Sequence, residues 1–181
     1  MLFVAAQLVD IFFFLFLLFG IEKFSIVANI TQVNHFNLNF MPYTHSLVAT
    51  IGWAIFGGIF LSYFWKSKTE KNMNLKIKET FPLIALVIIS HFLLDIPMHN
   101  PDLPIFDNNS TKIGFGLWSY LWISIAFELI LIIIGLFLYK KLFPNNLKEG
   151  QGFWSKYGFI FISFVIISPF LPVPMKWSYS H

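Results

Sequence analysis

The 181-residue chain contains no cysteine and no arginine, and only 12% of its residues are charged. Lack of cysteine excludes disulfides and thiolate metal sites. Lack of arginine leaves the net charge of +3 to lysine alone, so the planar forks that grip phosphate in two places are missing and nucleic acid is not an expected partner. Apolar surface, by contrast, is in excess: 57% of residues are hydrophobic and 24 are phenylalanine. A soluble domain of this length has too little interior to hide so much, which points to an integral membrane protein.

Five apolar stretches are long enough to cross roughly 30 Å of hydrocarbon at about 1.5 Å per residue. They cover 2–20, 45–65, 81–96, 115–139 and 153–171. Pro82 suits the start of the third helix and Pro97 its end. The first stretch has neither a basic leading segment nor a small-residue cleavage site, so it reads as a retained span. The expected fold is an all-α membrane bundle of about five transmembrane helices, a single integral domain over 1–181. Nine lysines fall in the 66–80 and 140–156 connections and three on the other side. Lysine-rich loops stay cytoplasmic, which places the N-terminus inside and the C-terminus outside.

The scarce ionisable residues are concentrated. In "SHFLLDIPMHNPDLP", residues 90–104, His91 and Asp95 are four apart and share one helical face. That spacing lets two side chains hold one metal ion, as the paired histidines of H-E-x-x-H do. His45, in "MPYTHSL", opens the second span on the same side of the membrane. Asp10 sits mid-span in the first helix, as a fourth ligand or as a group orienting one of the histidines. Imidazole nitrogen and carboxylate oxygen suit zinc, with manganese or iron as alternatives. A hydrogen-bonded polar plug between helices would use the same His91–Asp95 pair, and the coincidence with His45 favours the metal. His99 and Asp102 lie past Pro97 in a loop stiffened by Pro101 and Pro104, where they could act as general base or further ligand. Glu128, near the middle of the fourth span, reads as an accessory proton acceptor. Glu22 and Lys23 read as interface anchors, and His35 as solvent-facing.

The depths conflict if every helix stands upright. Asp10 falls about 15 Å below the outer end of its helix, whereas His45 falls at the outer boundary. The conflict eases if 24–44 dips into the bundle beside a water-filled cavity.

With "PYTHSL" and "HFLLDIPMHNPDLP" both in view, the chain resembles small bacterial inner-membrane proteins described as metal-dependent hydrolases, the YdjM-like, LexA-regulated family. The shared features are a T-H-S-L segment opening a span, here at 44–47, and a later H-x-x-L-D, here at 91–95. "GIEK" after the first span and "PDLPIF" before the fourth also look like small multi-span relatives. The family's H-R-G-x-T-H-S context is replaced here by "NFMPYTHS". The resemblance implies metal-ligand roles for His45, His91 and Asp95, and residence in the bacterial inner membrane.

The leading expectation is a membrane hydrolase in which His45, His91, Asp95 and Asp10 hold a divalent metal and His99 or Asp102 accepts a proton from water. Its substrate would be an ester or phosphoester, such as a lipid or lipid-linked molecule. A proton- or cation-coupled transporter would use the same polar residues as a relay. A membrane assembly protein would use them for packing.

Overall fold

A computed structural model describes residues 2–64 and 73–142. The span expected at 153–171 lies outside the described residues. The chain forms two compact units. Among the described residues, one takes in 2–26, 36–64 and 73–116, and the other Val27–His35 and 117–142.

In the first unit, helices α1 (Leu2–Ala6) and α2 (Leu8–Leu18) meet at a break on Gln7. A hairpin of β1 (Lys23–Ile26) and β2 (Phe36–Phe40) follows, then α3 (Leu47–Phe64) and α4 (Met73–Met98). A second, two-residue ladder pairs β3 (Leu103–Pro104) with β4 (Lys112–Ile113). The second unit holds a short 3₁₀ turn (Leu117–Ser119) and α5 (Leu121–Leu142). Among the described residues, three helices are long and apolar enough to cross a membrane: α3, the Ile77–Met98 part of α4, and the Leu121–Leu138 part of α5. α2 is apolar but shorter.

Three local differences from the sequence reading have physical causes. α4 begins at Met73, nine residues before Pro82, which lies inside the helix. A proline there removes one intrahelical hydrogen bond, and the residues ahead of it include the good helix formers Leu75, Lys76, Lys78 and Glu79. Pro97 does mark the end, since α4 stops one residue later. Second, parts of 24–44 form strands. Phe36–Phe40 alternates apolar and polar residues, the period of a strand, and pairs antiparallel with β1 from Lys23↔Phe40 to Ile26↔Phe36.

Third, the chain reverses directly after α2. Gly20 adopts φ +69°, its N–H reaches the Leu17 carbonyl, and the Ile21 N–H reaches the Phe16 carbonyl. This is the Schellman closure that a left-handed glycine permits. Glu22 N–H also approaches Phe16 O at 3.3 Å, so the chain has folded back along the last helical turn.

Two apolar clusters run through this unit. Ala5, Leu8, Val9, Ala54, Leu61, Ile84 and Ile88 form one; Phe13, Leu38, Met41, Phe92 and Leu103 form the other. Along both α2 and α4 the change of cluster falls at the polar residue, Asp10 between Val9 and Phe13, His91 between Ile88 and Phe92. α3 approaches closely because Gly57 faces Leu8 and Ile88, where a Cβ would collide with both side chains.

Candidate metal centre

Each residue of Thr44–His45–Ser46 has its own task, and the local fold follows from the last. Ser46 Oγ accepts the Ala49 N–H at 3.0 Å, which makes Ser46 the N-cap of α3. Its hydroxyl donates to the Pro42 carbonyl at 2.7 Å, and the Ile105 carbonyl takes the Val48 N–H at 3.1 Å. The turn before α3 is thereby fixed on both sides. His45, just outside the helix, is left 5% exposed and directed at α2 and α4.

Asp10 Oδ1 lies 3.3 Å from His45 Nε2 and 3.4 Å from His91 Nε2. His91 Nε2 is also 3.4 Å from Asp95 Oδ2. One ligand atom each from Asp10, His45 and His91 fall within 4.8 Å of one another. The depth conflict inferred from upright helices does not arise, because the chain reverses at Gly20 and His45 precedes α3 rather than lying within a helix.

The hydrogen bonds behind the two rings decide what faces inward. His91 Nδ1 is 3.0 Å from the Ala6 carbonyl, beside the α1–α2 break. A carbonyl can only accept, so Nδ1 carries a proton and Nε2 of the neutral ring is a bare lone pair. His45 Nδ1 is 2.8 Å from Thr44 Oγ1, while that hydroxyl lies 2.7 Å from Glu22 Oε2. Glu22 Oε1 meanwhile accepts the N–H groups of Tyr43 and Thr44 at 2.9 and 3.0 Å. Glu22 is 1% exposed. Burial raises its carboxyl above the ordinary value, while the Thr44 hydroxyl and the two backbone N–H groups pull the other way.

Neutral rings in these tautomers turn two imidazole nitrogens and two carboxylates towards one another. Such a set is self-repelling unless a cation or proton stands among it. Charge-assisted N–H···O contacts close to about 2.7–2.9 Å; these separations are 3.3 and 3.4 Å. Tetrahedral ligands with bonds of about 2.0–2.1 Å lie roughly 3.3 Å apart, and three pairs, Asp10–His45, Asp10–His91 and His91–Asp95, stand at about that spacing. Asp95 Oδ2 is buried and, among the described residues, accepts no hydrogen bond. A buried carboxylate oxygen without a donor is costly, and a cation beside it removes the cost. Asp10 keeps 35% of its side chain exposed, whereas His45 and His91 keep 6% and 14%.

His99 and Asp102 form a different kind of pair. His99 Nδ1 lies 2.9 Å from Asp102 Oδ1, which is a hydrogen bond. The His99 ring stands 6.3 Å from the His45 ring, centroid to centroid. Phe115 N–H and Gly116 N–H hold the carbonyls of Ile96 and His99 at 2.8 and 2.6 Å. Gly114, at φ +151°, leaves no room for a Cβ against the His99 and Asn100 carbonyls. The loop bearing the pair is thus clamped to the end of α4.

The structure brings together Asp10, His45, His91 and Asp95 and sets His99–Asp102 beside them. Glu128 is half-buried on α5, in the other unit. His35 is half-buried and accepts the Asn29 N–H at 3.1 Å. Glu22 is the residue that sequence reasoning misplaced: it is not an interface anchor but a buried partner of the His45 turn. The signal available was a lone glutamate directly after the Gly20 reversal. No protein-family model, curated protein or solved structure matches the chain.

Proposed function

We propose that the chain is a membrane-embedded, metal-dependent hydrolase. The observation that carries this reading is the convergence of Asp10, His45 and His91, whose ligand atoms lie within 4.8 Å of one another, with Asp95 3.4 Å from His91. These four side chains would hold a divalent ion, zinc by donor chemistry, with manganese or iron the alternatives when more oxygens join. Such an ion, when bound, polarises a substrate oxygen and makes water nucleophilic near neutral pH.

The chain's own residues supply the rest. Asp102 orients His99 and stabilises the imidazolium that forms when Nε2 takes a proton from the attacking water. That proton then passes to the leaving oxygen of an ester or phosphoester. Ala6 and Thr44 hold the two ligand histidines in the tautomer that leaves Nε2 bare. The apolar helices and the partly exposed Asp10 favour a lipid or lipid-linked substrate. The lysine distribution supports an inside N-terminus, and the likeness to YdjM-like proteins supports a bacterial inner membrane.

The test is hydrolysis of lipid esters and phosphoesters by detergent-purified protein, stripped with chelator and then resupplied with zinc or manganese. Cleavage that disappears on stripping and returns on resupply is expected. Cleavage indifferent to metal, or ion flux in vesicles without any cleavage, overturns the reading.

A further inference from the structure

Glu22 contributes to no ligand set, yet it is among the most deeply buried polar groups described, at 1% exposure. Its carboxyl group accepts from three donors. Two are backbone N–H groups, of Tyr43 and Thr44, on Oε1; the third is the Thr44 hydroxyl, 2.7 Å from Oε2. A hydroxyl has one proton to give. Spent on an ionised Glu22, it leaves Thr44 Oγ1 only as an acceptor towards His45 Nδ1, 2.8 Å away. His45 must then carry its proton on Nδ1, and Nε2, the atom facing Asp10 at 3.3 Å, is the bare one.

We infer that Glu22 is a positioning residue that acts through Thr44 to set the His45 tautomer, and with it the ability of His45 Nε2 to bind a cation. The metal consequence rests on the function proposed above, whereas the tautomer consequence does not. The arrangement is polar: donors and acceptors alternate from the Tyr43–Thr44 backbone through the carboxylate, hydroxyl and imidazole to the centre. Partners behind a ligating histidine fix its orientation and tautomer and typically account for 10–100-fold in metal affinity.

Glu22→Gln reverses the alternation without removing the packing. The glutamine carbonyl still accepts both backbone N–H groups, but its amide now donates to Thr44 Oγ1. The threonine proton turns to His45 Nδ1, and the imidazole proton moves to Nε2. Thr44→Ser keeps the relay, and Thr44→Val cuts it.

The experiment uses the full chain in micelles with ¹⁵N-labelled histidine, in wild type and the three variants, followed by zinc titration against a competing chelator. The expected result is an Nδ1–H His45 in wild type and Thr44→Ser and an Nε2–H His45 in Glu22→Gln. Zinc affinity should fall 10–100-fold in Glu22→Gln and Thr44→Val. A folded Glu22→Gln protein with the wild-type tautomer overturns the inference. If Glu22→Gln does not fold, the threonine pair decides, and Thr44→Val with wild-type tautomer and affinity overturns it. A tautomer that switches in a protein binding no zinc at all upholds the relay and removes the metal reading instead.

Discussion

Two histidine–aspartate groups lie side by side in the first unit and are built on opposite principles. His99 and Asp102 close to 2.9 Å, a donor meeting an acceptor, and satisfy each other. His91 stands 3.4 Å from both Asp10 and Asp95, and the Asp95 oxygen facing it is buried and, among the described residues, has no hydrogen-bond donor. The difference originates behind the rings. The donor proton of His99 is spent on its aspartate, while that of a neutral His91 ring is spent on a backbone carbonyl, so that Nε2 faces two carboxylates as a lone pair unless a proton or cation stands between them. A closed pair is suited to moving a proton, and an open set of acceptors to holding a cation. The same two residue types, three or four positions apart, thus yield two chemistries.

The contrast can be broken from either side. The largest effect is expected from His91→Ala, which should reduce metal-dependent hydrolysis to the uncatalysed level, measured as product released with and without added zinc. Asp10→Asn should act in the same direction. His99→Gln should leave zinc binding intact while lowering turnover about 10²–10⁴-fold, the usual contribution of a general base; parallel rate and zinc-titration measurements separate the two groups. Gly114→Ala tests the clamp alone. A Cβ against the His99 and Asn100 carbonyls at φ +151° should cost about 1–3 kcal/mol, read as a lower unfolding temperature, with zinc still bound below it. The smallest effect is expected from Ser46→Ala. Loss of the α3 cap should cost about 1 kcal/mol in unfolding measurements, with little change at His99.

The sequence carried much of the centre because ionisable residues are costly in apolar helices and therefore conspicuous. His91 and Asp95 were visible from their four-residue spacing, His45 from its position before an apolar run, and Asp10 from its isolation. Helix type was legible for the same reason, since α3 and the apolar parts of α4 and α5 are continuous hydrophobic runs. The hairpin over 23–40 was less so: its alternation spans only five residues in β2, and the many apolar residues nearby read as a dipping membrane segment. Pro82 reads as a helix start because proline suits a first turn, yet it sits inside α4 at the cost of one intrahelical hydrogen bond.

Glu22 was hidden for a different reason. Beside Lys23, after a glycine, a glutamate reads as an ordinary boundary charge. Its role depends on the reversal at Gly20, which carries it back along α2, and on backbone N–H groups of Tyr43 and Thr44 more than twenty residues away. Pairings with main-chain donors leave no pattern of side-chain types to read. The closed and open histidine groups were equally beyond spacing, because i, i+3 and i, i+4 pairs look alike until the partner of each Nδ1 is known.

The central claim is that the Asp10–His45–His91–Asp95 set holds a divalent cation. Elemental analysis of protein purified under metal-replete conditions, wild type beside His91→Ala and His99→Gln, tests it most directly. Stoichiometric divalent metal is expected in wild type and His99→Gln, and none in His91→Ala. Wild-type protein that is natively folded and metal-free under those conditions, or equal metal in all three, would contradict it.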